Sequence, residues 1–413
     1  MDITLTPTVL CGTIPAIPSK SHAHRLIICA SLADAPCTVV CKSTSRDIEA
    51  TADCMRALGA VITRTDDGYD IIPIQKTEGK KILHVGESGS TLRFLLPLCA
   101  SLGGEYEFWM EGRLPTRPLS PLYELLSAGG VTLSGQGKNP LLMSGKLTAH
   151  EFEIAADVSS QYISGLMFAS AASGRECKIT LTTEPESTGY IDMTADALSS
   201  FGVEIKKEGG AYSVNGRPKT PCRAIPAEGD WSNAAFWLCA GAVGSAPVGV
   251  SGLDGNSLQP DRAVIDILRR FGAEIEEAGG KYVVSPAPLY ACEIDVKNTP
   301  DLVPALAVAA ACAEGKTRIF GAGRLRLKES DRIESVCEMI TALGGEAESV
   351  GDEIIVHGTG LSGGVVKCHN DHRIAMAAAI ASCASADDIT ILGAECTQKS
   401  YPAFFEDFEK IRI

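Results

Sequence analysis

The segment Pro18-Ser19-Lys20-Ser21-His22-Ala23-His24-Arg25 sets two cations and four hydroxyl or imidazole residues directly ahead of the apolar run Leu26 to Leu32. Pro18 and Ser19 are helix-start residues and Ser21 can cap free backbone N–H groups, so a buried helix begins here. Lys20 then sits where a helix already carries partial positive charge, and Ser21 and Arg25, four residues apart, share a face just inside it. Such an end is unfavourable when empty. A phosphate or carboxylate held by backbone N–H groups, a hydroxyl and two fixed charges accounts for it; a solvated Lys20 with Arg25 paired to an acid is the alternative.

Five more apolar segments open on polar clusters: Glu87-Ser88-Gly89-Ser90-Thr91, Val158-Ser159-Ser160-Gln161, Gly229-Asp230-Trp231-Ser232-Asn233, Asn298-Thr299-Pro300-Asp301 and His369-Asn370-Asp371-His372-Arg373. Further cations lie between elements, at Arg113 and Arg117, in Arg324-Leu325-Arg326-Leu327-Lys328-Glu329-Ser330-Asp331-Arg332, and at Lys399. In a chain of formal net charge −14, which disfavours general nucleic-acid binding, such clusters point to small anions.

The elements that position these clusters recur. Gly59, Gly129, Gly202, Gly272 and Gly344 each follow an amphipathic segment and precede a strand-like one, and by difference of their numbers they fall 70, 73, 70 and 72 residues apart. A glycine just past a helix end supplies a left-handed cap, so each marks the same junction. Aligned on these junctions, the chain is one unit repeated: apolar helix, strand, amphipathic helix, two strands. The apolar helices run over Arg25 to Ala33, Arg93 to Leu102, Tyr162 to Ala172, Ala234 to Val243, Leu302 to Ala313 and Arg373 to Ala384. Apolar on nearly every side, they must be buried all round, three to a domain, with sheets and amphipathic helices outside.

At 413 residues two domains are expected. The sixth unit lacks its closing strands, and the alternating segment Ile3 to Leu10 has no unit of its own, so the N-terminal strand completes the last unit. The expected division is a continuous domain over 13–225 and a discontinuous one over 1–12 and 226–413, joined by a two-strand hinge, with helix N-termini facing across a cleft. No leader-like segment opens the chain and the longest apolar run, Val303 to Ala313, is too short for a bilayer. A cytoplasmic monomer that binds neither membrane nor nucleic acid is expected. The 15 cysteines form no CxxC pair and read as reduced core residues.

In order along the whole chain, Pro18-Ser19-Lys20-Ser21 through Arg25, Gly86-Glu87-Ser88-Gly89-Ser90-Thr91 with Arg93, Arg117-Pro118, Asp157-Val158-Ser159-Ser160-Gln161, Leu327-Lys328-Glu329-Ser330-Asp331-Arg332, Asn370-Asp371-His372-Arg373 and Lys399 resemble the motifs of the enolpyruvyl transferase family, in its branch acting on shikimate 3-phosphate. The resemblance implies an α/β fold of two inside-out domains, each a pseudo-threefold repeat of a βαβαββ-type unit around buried apolar helices. It implies that the 5-hydroxyl of shikimate 3-phosphate attacks C2 of phosphoenolpyruvate while C3 is protonated, and that phosphate then leaves, with no metal and no organic cofactor. Residue by residue, it assigns Lys20, Ser21, Arg25, Ser159, Ser160, Gln161, Ser187, Asp301 and Lys328 to shikimate 3-phosphate. Phosphoenolpyruvate falls to Lys20, Gly89, Arg117, Gln161, Arg332, Arg373 and Lys399. Asp301 is the expected base for the 5-hydroxyl and Glu329 the group that moves the proton at C3, with Lys20 or Lys399 as alternatives for that proton.

Three positions depart from the family pattern: Glu87 where Asn is usual, Arg324 where an Asn often contacts shikimate 3-phosphate, and Phe94 where some members have proline. A relative acting on UDP-N-acetylglucosamine is disfavoured by Ser21 after Lys20 and by the absence of cysteine between Arg113 and Arg117. An RNA 3′-phosphate cyclase-like binder is disfavoured by the acidic charge and the missing GxxxxGK[ST] loop. His22 and His24 read as surface or spacer positions, Trp231 and Trp237 as core.

Overall fold

Six helices carry the apolar segments: Lys20–Leu32, Gly89–Leu102, Ser160–Ser173, Trp231–Val243, Val303–Ala311 and His372–Ala381. In the computed structural model, which describes residues 1–75 and 79–413, they are buried around nearly their whole circumference. They begin earlier than their apolar pattern because the polar residues ahead are caps. Ser19 accepts from the His22 N–H, Ser88 from Thr91, Ser159 from Gln161, Asp230 from Asn233 and Asp371 from Arg373. Ser19, and not Ser21, therefore caps the first helix. Val303–Ala311 continues a 3₁₀ turn, Pro300–Leu302, instead.

The chain divides into two units, Pro18–Ala227 and Met1–Ile17 with Glu228–Ile413. In the Pro18–Ala227 unit three four-stranded sheets share one plan. A leading strand runs parallel to the strand after the core helix, and that strand pairs antiparallel with the second strand of a terminal hairpin. Lys81–Gly86, Gly104–Met110, Leu141–Gly145 and Val131–Leu133 show it in spatial order. The first sheet draws its leading strand, Ala224–Pro226, from the far end of the unit to pair with Cys37–Val40. Sheet outer faces are polar, as in Glu204–Glu208, and inner faces apolar, so burial lies inside a ring of sheets and amphipathic helices such as Arg46–Ala57 and Thr188–Ser200.

The second unit repeats the plan. Gly12–Pro15 leads the sheet of Val248–Ser251 in parallel, and Asp2–Leu5 pairs antiparallel with Ile389–Leu392 in a three-stranded sheet completed by Gly364–Lys367. These pairings move the expected boundaries from 13–225 to 18–227. Gly12–Pro15 is hydrogen-bonded into the second unit's sheet, and Ala224–Pro226 into the first unit's. One junction also shifts: Gly129 has φ −79°, and the left-handed position beside it belongs to Gly130, at +97°. All 15 cysteines are unbridged. Among the described residues, no helix is long and apolar enough to cross a membrane.

Candidate active site

In the Pro18–Ala227 unit, buried and half-buried polar side chains tie the N-terminal ends of the core helices to one another and to the helix Thr188–Ser200. Arg25, 2% exposed, donates from Nε to Thr194 Oγ1 at 2.8 Å and from Nη2 to the Tyr190 carbonyl at 2.7 Å, while Thr194 also meets Ser164 Oγ at 2.7 Å. Its guanidinium stands 5.1 Å from the Phe94 ring centre, so this aromatic underlies the buried cation. Burial, partly opposed by Tyr190 and Cys29, lowers Arg25 to about 10, which leaves it charged at neutral pH. Arg93 Nη1 donates to Gln161 Oε1 at 3.0 Å, and Gln161 Nε2 donates to Ser90 Oγ at 2.9 Å.

Lys20, the first helical residue, donates from Nζ to Asp47 at 2.8 Å, and the Ser21 carbonyl accepts from Arg25 Nη1 at 2.6 Å. Gly89 is a close approach: a Cβ there would lie 2.6 Å from Arg93 Nη1 and 2.9 Å from Arg117 Nη1. Ser160 is buried, and fully buried Ser187 holds φ +53° at the start of Thr188–Ser200. The expected residues Lys20, Ser21, Arg25, Gly89, Arg117, Ser159, Ser160, Gln161 and Ser187 thus all belong to this unit, on or beside helix starts.

Asp301, Lys328, Glu329, Arg332, Arg373 and Lys399 belong to the other unit, and most of them form one ionic network. Arg332, 1% exposed, donates to Asp371 at 2.7 Å, to Asp301 at 2.6 Å and to Glu329 at 2.6 Å. Burial alone would lower Arg332, but Asp371, Glu329 and Asp301 outweigh it and push the guanidinium above its ordinary value. Asp301 also meets Lys328 at 3.2 Å and Arg373 at 3.3 Å, so three cations surround one carboxylate. Lys328 is pulled down to about 8 by burial, against Asp301 and together with Arg332. Lys399 Nζ donates to the Asn370 carbonyl at 2.6 Å. Asn370 and His369 hold positive φ, 57° and 49°, in the turn that presents this carbonyl.

Across the described residues, no three His, Cys, Asp or Glu side chains are grouped to hold a metal. What the geometry offers is stabilisation of several anionic groups by fixed N–H groups and cations, beside carboxylates able to move protons.

The chain matches the family model described as EPSP synthase (3-phosphoshikimate 1-carboxyvinyltransferase) over residues 5–408. The chain belongs to the EPSP synthase family. A protein of Clostridium kluyveri named 3-phosphoshikimate 1-carboxyvinyltransferase is 40% identical over 99% of this chain and 97% of its own length. One of the same name from Clostridioides difficile is 38% identical over 99% and 97%. A solved EPSP synthase from Acinetobacter baumannii superposes with TM-score 0.81 at 26% identity, covering 99% of this chain and 98% of that one. The α/β fold is that family's, and the chain is an enolpyruvyl transferase of the shikimate pathway.

Sequence reasoning gave no role to four residues of this EPSP synthase-family site. Asp47 and Asp371 are the acids that hold Lys20 and Arg332. Arg93, quoted only as part of a motif, bridges two helices; an arginine inside an apolar helix was the available signal. His24, expected at a surface or spacer position, is fully buried. Glu87 lies against Gly112, and Arg324 is in the 3₁₀ turn Gly323–Leu327.

Proposed function

We propose that shikimate 3-phosphate is held by Lys20, Ser21, Arg25, Ser159, Ser160, Gln161 and Ser187, with Asp301 and Lys328 contributed by the second unit. Phosphoenolpyruvate is held by Lys20, Gly89, Arg117, Gln161, Arg332, Arg373 and Lys399. The observation that carries this reading is that three helix starts with hydroxyl caps, no acid in the first turn, and buried cations lie in one unit. Such ends bind phosphate and carboxylate oxygens through N–H groups that no first-turn acid occupies, while at Lys20 a ligand competes with Asp47.

Asp301 takes the proton of the 5-hydroxyl as its oxygen attacks C2 of phosphoenolpyruvate. Glu329 delivers a proton to C3 and recovers one from C3 when phosphate leaves, and Asp301 passes the 5-hydroxyl proton to the departing phosphate, so the vinyl group is restored and the enzyme ends as it began. The contacts of Asp301 with Lys328, Arg332 and Arg373 imply an order. Substrate carboxylate and phosphate engage these cations, and Asp301, released from them, becomes a stronger base only when both substrates are present. Closure of the two units on the substrates, and action as a cytoplasmic monomer, complete the proposal.

The test is phosphate release from phosphoenolpyruvate by the purified protein, with chelator present and either shikimate 3-phosphate or UDP-N-acetylglucosamine as acceptor. Turnover with shikimate 3-phosphate alone is expected. Turnover with the nucleotide sugar, or loss of activity on chelation, would overturn the assignment.

A further inference from the structure

A buried chain of hydroxyls runs from the first core helix to the cap of the second. His24 Nδ1 lies 2.7 Å from Thr51 Oγ1, Thr51 Oγ1 lies 2.6 Å from Thr91 Oγ1, and Thr91 Oγ1 donates to Ser88 Oγ at 2.7 Å. All four residues are fully buried. Ser88 Oγ also accepts the Thr91 backbone N–H at 3.2 Å, the bond that starts the Gly89–Leu102 helix.

The direction of the chain follows from counting protons. Each threonine hydroxyl has one to donate. Thr91 donates to Ser88, so Thr51 is the donor to Thr91 and has only a lone pair left for His24. His24 therefore carries its proton on Nδ1. A separate observation agrees: His24 Nε2 is buried with no hydrogen-bond partner among the described residues, and the Nδ1–H tautomer is the neutral form that leaves no buried N–H unfilled there. Burial, with Lys20 and Arg25 nearby, holds the ring well below its ordinary value, which favours the neutral form.

We propose that His24 is a positioning residue for the phosphoenolpyruvate end of the reaction. Its Nδ1–H sets the direction of the Thr51–Thr91–Ser88 chain and thereby fixes the Ser88 cap from which Gly89 and Ser90 are presented. The proposal rests on the reading that phosphoenolpyruvate binds at Gly89. His24 touches neither substrate; it acts through three hydroxyls.

Two amides separate this role from simple packing. In His24→Asn the side-chain nitrogen takes the place of Nδ1, whereas in His24→Gln it reaches the place of Nε2. Steady-state kinetics on both variants, with Thr51→Ser and Thr51→Val as a second pair, is the experiment, and Gly89→Ala is its control. His24→Gln and Thr51→Val are expected to raise KM for phosphoenolpyruvate roughly three- to tenfold, the scale of one hydrogen bond. KM for shikimate 3-phosphate should stay within about twofold, and His24→Asn and Thr51→Ser should restore most of the loss. The double variant should be no worse than the poorer single one, because both cut the same chain. Equal behaviour of Asn and Gln, or parallel rises in both KM values, would overturn the role of His24. Should Gly89→Ala leave KM for phosphoenolpyruvate unchanged, the placement of that substrate fails, and this proposal with it.

Discussion

In the Pro18–Ala227 unit the three core helices start from Ser19, Ser88 and Ser159 and hold no acid in their first turns. In the other unit the corresponding starts carry Asp230, Asp301 and Asp371. A hydroxyl cap satisfies a backbone N–H yet leaves the positive end of the helix uncancelled, while a carboxylate cap cancels it. The first unit therefore leaves its helix ends uncancelled, although Lys20 there is held by Asp47. In the second, Arg332, Arg373 and Lys328 already contact the protein's own carboxylates, and an incoming anion has to compete. One repeat thus presents hydroxyl-capped helix ends in one half and carboxylate-bearing ones in the other.

Turning the second unit into the likeness of the first is the harshest test of that contrast. Asp301→Asn removes the carboxylate but keeps its shape. It should lower kcat by roughly 10²- to 10⁴-fold, the usual scale for a lost general base, without raising KM for phosphoenolpyruvate, since Arg332 and Arg373 lose a competitor. An unchanged kcat in steady-state assays would remove Asp301 from the mechanism.

Stability should show the same asymmetry. Asp371→Asn takes away one of the three carboxylates on Arg332, whose side chain is 1% exposed, while Asp301 and Glu329 remain, and denaturant unfolding should register a loss of about 1.5–3 kcal/mol. Ser19→Ala in the first unit deletes only a cap and should cost about 1 kcal/mol. Equal losses would mean that the ionic network contributes no more than any helix cap.

How much of this contrast was legible in sequence depends on how local its causes are. Capped apolar helices and recurrent glycines are local, so six core helices and their repeat could be read directly. The crossings could not be placed to the residue. What assigns Gly12–Pro15 to one unit is a pairing with Val248–Ser251, far along the chain, and nothing within the strand marks its partner. The same holds for charges. Lys20 and Arg332 announce themselves as site cations, but that Asp47 and Asp371 hold them is decided by packing. His24 was misread for a different reason. On a helix apolar on every side there is no outward stripe, so periodicity cannot say which way a polar residue points.

The reverse conversion, Ser159→Asp, imposes the second unit's chemistry on the first. The carboxylate can still cap Ser160–Ser173 and its charge suits the helix end, so stability should hold or rise by about 0.3–1 kcal/mol. KM for shikimate 3-phosphate should nevertheless climb roughly tenfold or more, because a fixed anion now faces the ligand phosphate. Tighter binding would refute the idea that hydroxyl caps keep this end open.

The mildest effect should appear in pH dependence, and it separates the units again. Arg25, lowered to about 10, stays charged through pH 9, whereas Lys328, lowered to about 8 chiefly by burial, does not. Raising the pH through 8 therefore removes a cation from the second unit only, and kcat/KM for shikimate 3-phosphate should fall by a few-fold. Stability should not fall with it on this residue's account. The folded value lies below the ordinary 10.5, so between about pH 8 and 10.5 the unfolded chain binds the extra proton, and the Lys328 contribution to stability rises with pH in that window. Activity and stability thus move in opposite senses. Lys328→Arg, which keeps its charge, should shift the descending limb of the kcat/KM profile upward by a unit or more; a limb unmoved by that substitution would assign the titration to another group.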